Sequence, residues 1–249
     1  MKLSHRLSTM AKEIRGSDRV VDIGSDHGYL PLILLKERGC SNVIVTDISS
    51  RSLSKAKKNI EKDYYGDGKN NQVSYRLGDG LNVISMGEAN IAVIGGMGGL
   101  LISHILSQQI EIALSFDKIV MQPRKNQGEL RYWLRNNGFT IMAEHLAQEG
   151  RFICEIIIAK RASVPWDGPI WDQRTKIQYQ TSAQILQAEE RNLIGPFLAK
   201  RLEQEKTVIK ALRNLKNSDP GKRDVILYRI KYLENLIKEF EEGQEGENK

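Results

Sequence analysis

The chain has little of what secreted or metal-stapled proteins are built from. Only two cysteines occur in 249 residues, Cys40 and Cys154. They lie far apart with no metal-ligand spacing, which excludes a disulfide framework and argues against a zinc site. No apolar run approaches membrane-spanning length, and Met1-Lys2-Leu3-Ser4-His5-Arg6 lacks the apolar core of a leader peptide. A cytoplasmic protein with no membrane partner and no metal is expected, and a monomer. Charge blocks are missing too. The net charge is +6, with 21 basic and 17 acidic side chains over residues 1–160 and 16 and 14 over 161–249. With no basic tail, any surface for a polyanion has to be assembled by folding.

One further absence is local and more telling. Val20-Val21-Asp22-Ile23-Gly24 reads as a short buried strand entering a turn, and Pro31-Leu32-Ile33-Leu34-Leu35-Lys36 as a helix with proline in its first turn. Strand, glycine-bracketed turn and helix open a nucleotide-binding βαβ unit. The dinucleotide fingerprint needs a middle glycine where this chain has Asp26, whose carboxylate repels a pyrophosphate. Such a loop suits a ligand with a cationic head, such as an ammonium and a sulfonium.

The rest of the first 160 residues alternates strand and helix. An amphipathic helix is predicted over 3–15, with Leu3, Leu7, Met10 and Ile14 on its apolar stripe and Arg6 on its polar face. Val43–Asp47 is a second strand whose terminal Asp47 follows Gly24 by 23 residues, close to the ~20 expected for an acid that binds a ribose diol. The alternative for Asp47 is a helix N-cap, a role Ser49 or Ser50 can fill. Val73–Leu77 leads into Gly78-Asp79-Gly80, placed to accept from an adenine amino group, although Asp-Gly is also a common turn. Ile91–Ile94 runs into Gly95-Gly96-Met97-Gly98-Gly99, a stretch stripped of side chains where an open α/β sheet holds its ligand. A fifth strand, 118–123, a helix, 129–137, and a hairpin of strands 139–146 and 152–159 complete a mostly parallel sheet with one antiparallel strand.

Beyond Lys160 the character changes. Residues 164–172 read as a linker, 173–217 as a long helical tract with its candidate break near Gly195-Pro196, and 217–221 as a turn with Asp219 as candidate N-cap. Ile226, Ile230, Leu233, Ile237 and Phe240 are spaced 4, 3, 4, 3. That heptad register faces Leu198, Leu202, Ile209 and Leu212 in an antiparallel coiled-coil hairpin. Residues 241–249 are expected to fray. The division expected is therefore a catalytic domain over 1–161 and a helical domain over 162–249.

Acids at three successive strand ends and a glycine turn after the fourth strand fit one ligand, S-adenosylmethionine, with its amino-acid head, ribose and adenine. The fold class expected is α/β, a class I Rossmann-like methyltransferase sheet with a terminal antiparallel hairpin strand and the coiled-coil hairpin. The motifs Asp22-Ile-Gly-Ser-Asp-His-Gly-Tyr-Leu-Pro31, Gly78-Asp-Gly-Leu81, Gly96-Met-Gly-Gly99, Gln122-Pro123 and Gly195-Pro-Phe-Leu-Ala-Lys200 resemble those of the bacterial tRNA (adenine-22-N1)-methyltransferases across nearly the whole chain. Gly28 stands where that family suggests alanine, and Arg124 where it often has asparagine.

The resemblance implies methylation of N1 of an adenine in tRNA. With the strand-end pattern it assigns Asp22, Gly24, Asp26 and His27 to the cofactor's head, and Asp47 and Ile48 to its ribose side. Gly78, Asp79 and Gly80 fall to the adenine, and Gly95, Gly96 and Met97 to the floor. Asp26 is the first catalytic candidate, stabilising charge on the methylated base, with Tyr29 as stacking partner and His27 third. Tyr29 as a plain packing residue is an equal alternative. Arg124, Lys125, Arg131 and Arg135 on one loop and helix, and Lys200, Arg201, Lys206, Lys210, Arg213 and Lys216 beyond, are read as tRNA contacts, although a solvated helix face explains any single one. Two other classes stay open: a non-catalytic RNA- or protein-binding module with a vestigial pocket, and a nicotinamide-dependent oxidoreductase.

Overall fold

The computed structural model describes residues 4–64, 72–168, 172, 175–213 and 220–247. Seven strands form one sheet: β1 Arg19–Ile23, β2 Asn42–Asp47, β3 Gln72–Leu77, β4 Ile91–Met97, β5 Lys118–Pro123, β6 Phe139–Glu149 and β7 Phe152–Arg161. Their order is β3-β2-β1-β4-β5-β7-β6. The first five pair in parallel, and β7 runs antiparallel to both neighbours, as expected. The order reverses between β1 and β4, so a cleft opens at their carboxyl ends.

The β-branched strands are buried on both faces, which is why they read as continuous apolar runs. Val20, Val43 and Val93 pack under α1 (His5–Lys12), α2 (Tyr29–Lys36) and α3 (Ser50–Asp63). Val21, Ile44 and Ile94 pack under α4 (Gly99–Gln108), α5 (Ile110–Ser115) and α6 (Gln127–Asn136). The first helix is shorter than its apolar stripe implies. Ser4 caps it by accepting from Leu7 N, while Met10 and Ile14 are fully buried.

The C-terminal part differs from expectation in two ways. The long tract divides into α7 (Thr175–Gln180), a 3-10 turn (Ala183–Gln187) and α8 (Arg191–Arg213). The break falls at 181–190, and Pro196 lies inside α8. Proline there removes one amide donor, and burial of Ile194, Phe197 and Leu198 holds the helix through it. Secondly, α9 (Pro220–Glu247) stays helical through the acidic end expected to fray, anchored by buried Phe240. Asp219 and most of the expected turn lie outside the described residues, as does Lys216.

The hairpin is antiparallel. Arg191, early in α8, covers the late Phe240 ring, whereas Lys206 pairs with Glu234 at 3.4 Å and Glu205 with Arg229 at 3.7 Å. Ile226, Leu233 and Phe240 are buried on the heptad seam. Leu146 of β6 belongs to the same apolar cluster as Phe197, Leu198 and Leu236, so the hairpin packs directly on the sheet. Among the described residues, no helix is long and apolar enough to cross a membrane.

Candidate active site

The β1–α2 loop alternates left-handed residues: Gly24 (φ 71°), Asp26 (φ 49°) and Gly28 (φ 71°). This path brings the amides of Gly24 and Ser25 onto Thr46 O at 2.9 and 3.1 Å, and Asp26 N onto Asp47 Oδ2 at 3.1 Å. Aspartate tolerates φ > 0 better than most residues, yet the conformation stores strain of a kind that collects at functional loops. A Cβ on Gly24 would lie 2.1 Å from Met97 Cε, and one on Gly28 would lie 2.9 Å from Ala56 Cβ. Alanine at 28, which the family pattern suggested, therefore does not fit this loop.

A cavity of about 310 Å³ opens beside the loop, between the ends of β1 and β4. Asp22, Gly24, Asp26, His27, Gly95, Gly96 and Met97 border it, with Tyr29 and Arg124. Asp47, Ile48 and the Gly78-Asp79-Gly80 turn continue along the same carboxyl edge of the sheet, since β3 pairs with β2 in parallel. Asp22 is 5% exposed. Burial, with the Asp47 charge adding to it and Ser25 and Arg6 opposing, pushes its carboxyl up to about 6. Asp47 is held by two amides, Asp26 N and Ser49 N, the latter at 2.8 Å to Oδ1. It is not the helix cap. Ser49 takes that role by accepting from Ser52 N, and Asp47 stays braced at the end of β2 by the two amides. Ile48 is 71% exposed, an apolar surface at the strand end.

The floor is stitched to the neighbouring loop. Gln122, buried at the end of β5, accepts from Gly96 N at 3.1 Å and from Arg6 Nη1 at 3.4 Å. Arg6 also pairs with Glu149 at 2.7 Å. Arg124 N donates to Met97 O, and Gly99 N to Lys125 O, both at 2.7 Å. The helical pattern alone puts Arg6 on a polar face, and the Gln122-Pro123 motif does not reveal the contacts of Gln122. The one sequence signal for the latter was an amide side chain closing an otherwise apolar strand. At the rim, His27 and Tyr29 stack at 5.4 Å between ring centroids, and His27 Nε2 lies 3.6 Å from Asp26 Oδ2. Tyr29 is 42% exposed, so it is no core packing residue.

The basic residues do not form one patch. Arg124 and Lys125 are exposed at the cleft, next to Gly96 and Gly98 respectively. Arg131 does not face substrate: it is 1% exposed and bound to Glu144 and Glu155. Helical spacing placed it beside Arg135, but that face of α6 turns inward onto β6. Arg135 covers the Trp166 ring, away from the cleft. Arg201 pairs with Glu155 at 2.6 Å, so its charge is held by the fold. Lys206 belongs to the interhelical pair above, the Arg213 side chain lies outside the described residues, and Lys210 and Lys200 remain exposed.

A sheet of this order, with carboxylates ending β1 and β2 beside a glycine-lined cleft, defines a class I Rossmann-like methyltransferase. Residues 3–157 match a family model described as a methyltransferase domain. The chain is 33% identical over 202 residues to the tRNA (adenine(22)-N(1))-methyltransferase of Bacillus subtilis (strain 168), which covers 80% of this chain and 76% of that protein. The crystal structure of the B. subtilis m1A22 tRNA methyltransferase TrmK superposes with a TM-score of 0.73 at 25% identity, covering 95% of this chain and 99% of that one. M. capricolum TrmK, solved in complex with S-adenosyl-homocysteine, shares the fold with a TM-score of 0.73 at 23% identity over 96% and 99% of the two chains. The chain belongs to the tRNA (adenine(22)-N(1))-methyltransferase family.

Proposed function

We propose that this protein transfers the methyl group of S-adenosylmethionine to N1 of adenine 22 in tRNA. The observation that carries the reading is the pair of strand-end carboxylates, Asp22 buried and Asp47 oriented by two amides. A buried carboxylate held near the top of its range calls for a cation, and an amide-braced one for hydroxyl donors. These residues fit the cofactor: Asp22 takes its ammonium, Asp47 its ribose diol, and Asp79 its adenine amino group beside Ile48. When bound, the cofactor supplies an electrophilic methyl on a sulfonium. The glycines that border the cavity leave backbone alone on that side. Purified protein, the cofactor and unmodified tRNA should yield 1-methyladenosine by nucleoside mass spectrometry, with a primer-extension stop at position 22. Methylation at another base or in another RNA would refute the assignment.

Adenine N1 presents an in-plane lone pair, so the residues need to position the base more than deprotonate it. With Asp22 buried for the ammonium, exposed Asp26 is left facing the incoming base, where positive charge develops. The His27–Tyr29 stack offers that base a platform. Asp26→Asn is therefore expected to lower the single-turnover rate about 10–100-fold at saturating cofactor while tRNA affinity changes less than about threefold. A wild-type rate would remove Asp26 from catalysis.

Residues 162–249 are read as the tRNA-capturing part and 1–161 as the catalytic body of a cytoplasmic monomer, with no metal in the methyl transfer itself. Support comes from the place where the two parts meet, Lys200 of α8 against the β6–β7 turn. Since β6 runs parallel to β5, this turn lies at the cleft end of the sheet. Phe152 there is 53% exposed between Arg151 and Lys200, each 5.1 Å from its ring centroid. An exposed ring flanked by cations suits a stacked base and its phosphates. Phe152→Ala should raise the KM for tRNA about tenfold and leave kcat and cofactor affinity unchanged. An unchanged KM would place tRNA elsewhere.

A further inference from the structure

His145, in β6, lies beneath the segment that leads into α8. Its Nε2 is 3.0 Å from Glu13 Oε1, and Glu13 is fixed in turn by Lys118, whose Nζ reaches Oε2 at 3.0 Å and the Glu13 carbonyl at 2.6 Å. A carboxylate at that distance makes Nε2 the protonated nitrogen and leaves the Nδ1 lone pair pointing the other way. On that side stands Glu190, with Oε2 at 3.8 Å from Nδ1. The Glu190 side chain is only 9% exposed and that of His145 10%. Yet His145 Nδ1 and both Glu190 carboxylate oxygens lack a hydrogen-bond partner. Ligand atoms of His145, Glu189 and Glu190 lie within 4.8 Å of one another.

Two carboxylates and an imidazole nitrogen converge there, and the 3.8 Å between Nδ1 and Oε2 is too long for a hydrogen bond, so the buried Nδ1 and both Glu190 oxygens are left with unused hydrogen-bonding capacity. We infer that His145 Nδ1, Glu190 and Glu189 bind a divalent cation of the zinc class. Metal–ligand bonds of about 2.0–2.2 Å place tetrahedral ligand atoms roughly 3.4 Å apart. The 3.8 Å separation of Nδ1 and Oε2 closes to that with a small side-chain shift, and exposed Glu189 swings in as third ligand. Water completes the shell. Glu13 then acts on the metal through histidine, holding the tautomer and ring orientation as such outer carboxylates do. The ion joins β6 and α1 to the entry of α8, and so fastens the C-terminal hairpin to the sheet. Cysteine spacing is silent on such a site, because it uses no thiolate and its ligands come from residues 145, 189 and 190.

The test uses the full-length protein stripped with chelator and then titrated at pH 7.5 with Zn²⁺ alone, followed by calorimetry and thermal melting. One equivalent should bind, and at a hundredfold excess over Kd the melting temperature should rise by about 5 °C or more. Co²⁺ substitution should give ligand-field bands without thiolate charge-transfer absorption, which separates this site from Cys40 and Cys154. Glu190→Gln relieves the buried charge and so should fold at least as well as wild type. It should weaken binding at least about a hundredfold, and Glu13→Gln should weaken it about 10–100-fold. No saturable binding, as expected if the pocket holds a second imidazole proton instead, would overturn the proposal. So would an affinity unchanged by Glu190→Gln.

Discussion

Arg131→Ala is expected to destabilise the protein by about 3–5 kcal/mol, lowering its melting temperature by roughly 6–20 °C. Arg131 reaches Glu144 through Nε at 3.0 Å and Nη2 at 2.6 Å, Glu155 at 2.5 Å, and the Tyr179 carbonyl at 2.9 Å. Arg201 takes the other Glu155 oxygen at 2.6 Å. Burial alone would push Glu155 up, but Arg131 and Arg201 overcome it and hold the carboxyl below its usual range. Truncating Arg131 strands buried Glu144 and leaves buried Glu155 with Arg201 alone, in a medium where an unpaired charge is costly. The Glu144→Gln/Glu155→Gln pair, added to Arg131→Met, should recover much of the loss, because neutral amides need no counter-charge. A thermal melt measures both. A variant within 2 °C of wild type, with weakened tRNA binding per folded molecule, would return Arg131 to the substrate surface. The same network shows why α7 and the hairpin are fastened to the sheet. Arg131 comes from α6, Glu144 and Glu155 from β6 and β7, and Arg201 from α8.

Asp22→Asn should have the opposite effect on stability and a large effect on binding. In the free protein Asp22 titrates near 6, against an ordinary value of 3.8. A raised folded-state value means that the protonated form is favoured by folding. The free protein therefore loses stability as pH rises through about 6, and at neutral pH the ionised carboxylate costs up to about 3 kcal/mol. Asparagine removes that cost, so the free variant should melt higher than wild type at pH 7.5. A cofactor ammonium compensates the same charge, so the variant should bind S-adenosylmethionine at least about a hundredfold more weakly. Wild-type affinity should also fall about tenfold between pH 7.5 and pH 5, as Asp22 must release a proton to bind, and the variant should lack that step. Calorimetry at the two pH values reads all of this. Affinity within threefold of wild type, or a lower melting temperature, would contradict the role given to Asp22.

What the sequence determined by itself is what depends on neighbours along the chain. Val20 to Pro31 folds as a strand, a glycine turn and a helix because backbone preference and apolar pattern act over a few residues. The carboxylates Asp22 and Asp47 could be placed at strand ends for the same reason, and the α8–α9 seam from a repeat of seven. Asp26, standing where the dinucleotide fingerprint has glycine, points by itself to a cationic ligand in place of a pyrophosphate.

Only the tertiary structure decided which charges are spent inside. Arg131 and Arg135 look alike on a helical wheel. One is buried because Glu144 and Glu155, 13 and 24 residues away, converge on it, and the other stays at the surface over Trp166. Arg6 enters the cleft because β6 brings Glu149 to it across 143 residues. Pro196 stays helical because the hairpin core around it outweighs one lost hydrogen bond. The pairing of His145 with Glu13 and Glu190 likewise exists only where β6, α1 and the start of α8 meet. Local preference is written in the spacing of residues, whereas the cost of burying a charge is set by whichever distant group arrives beside it.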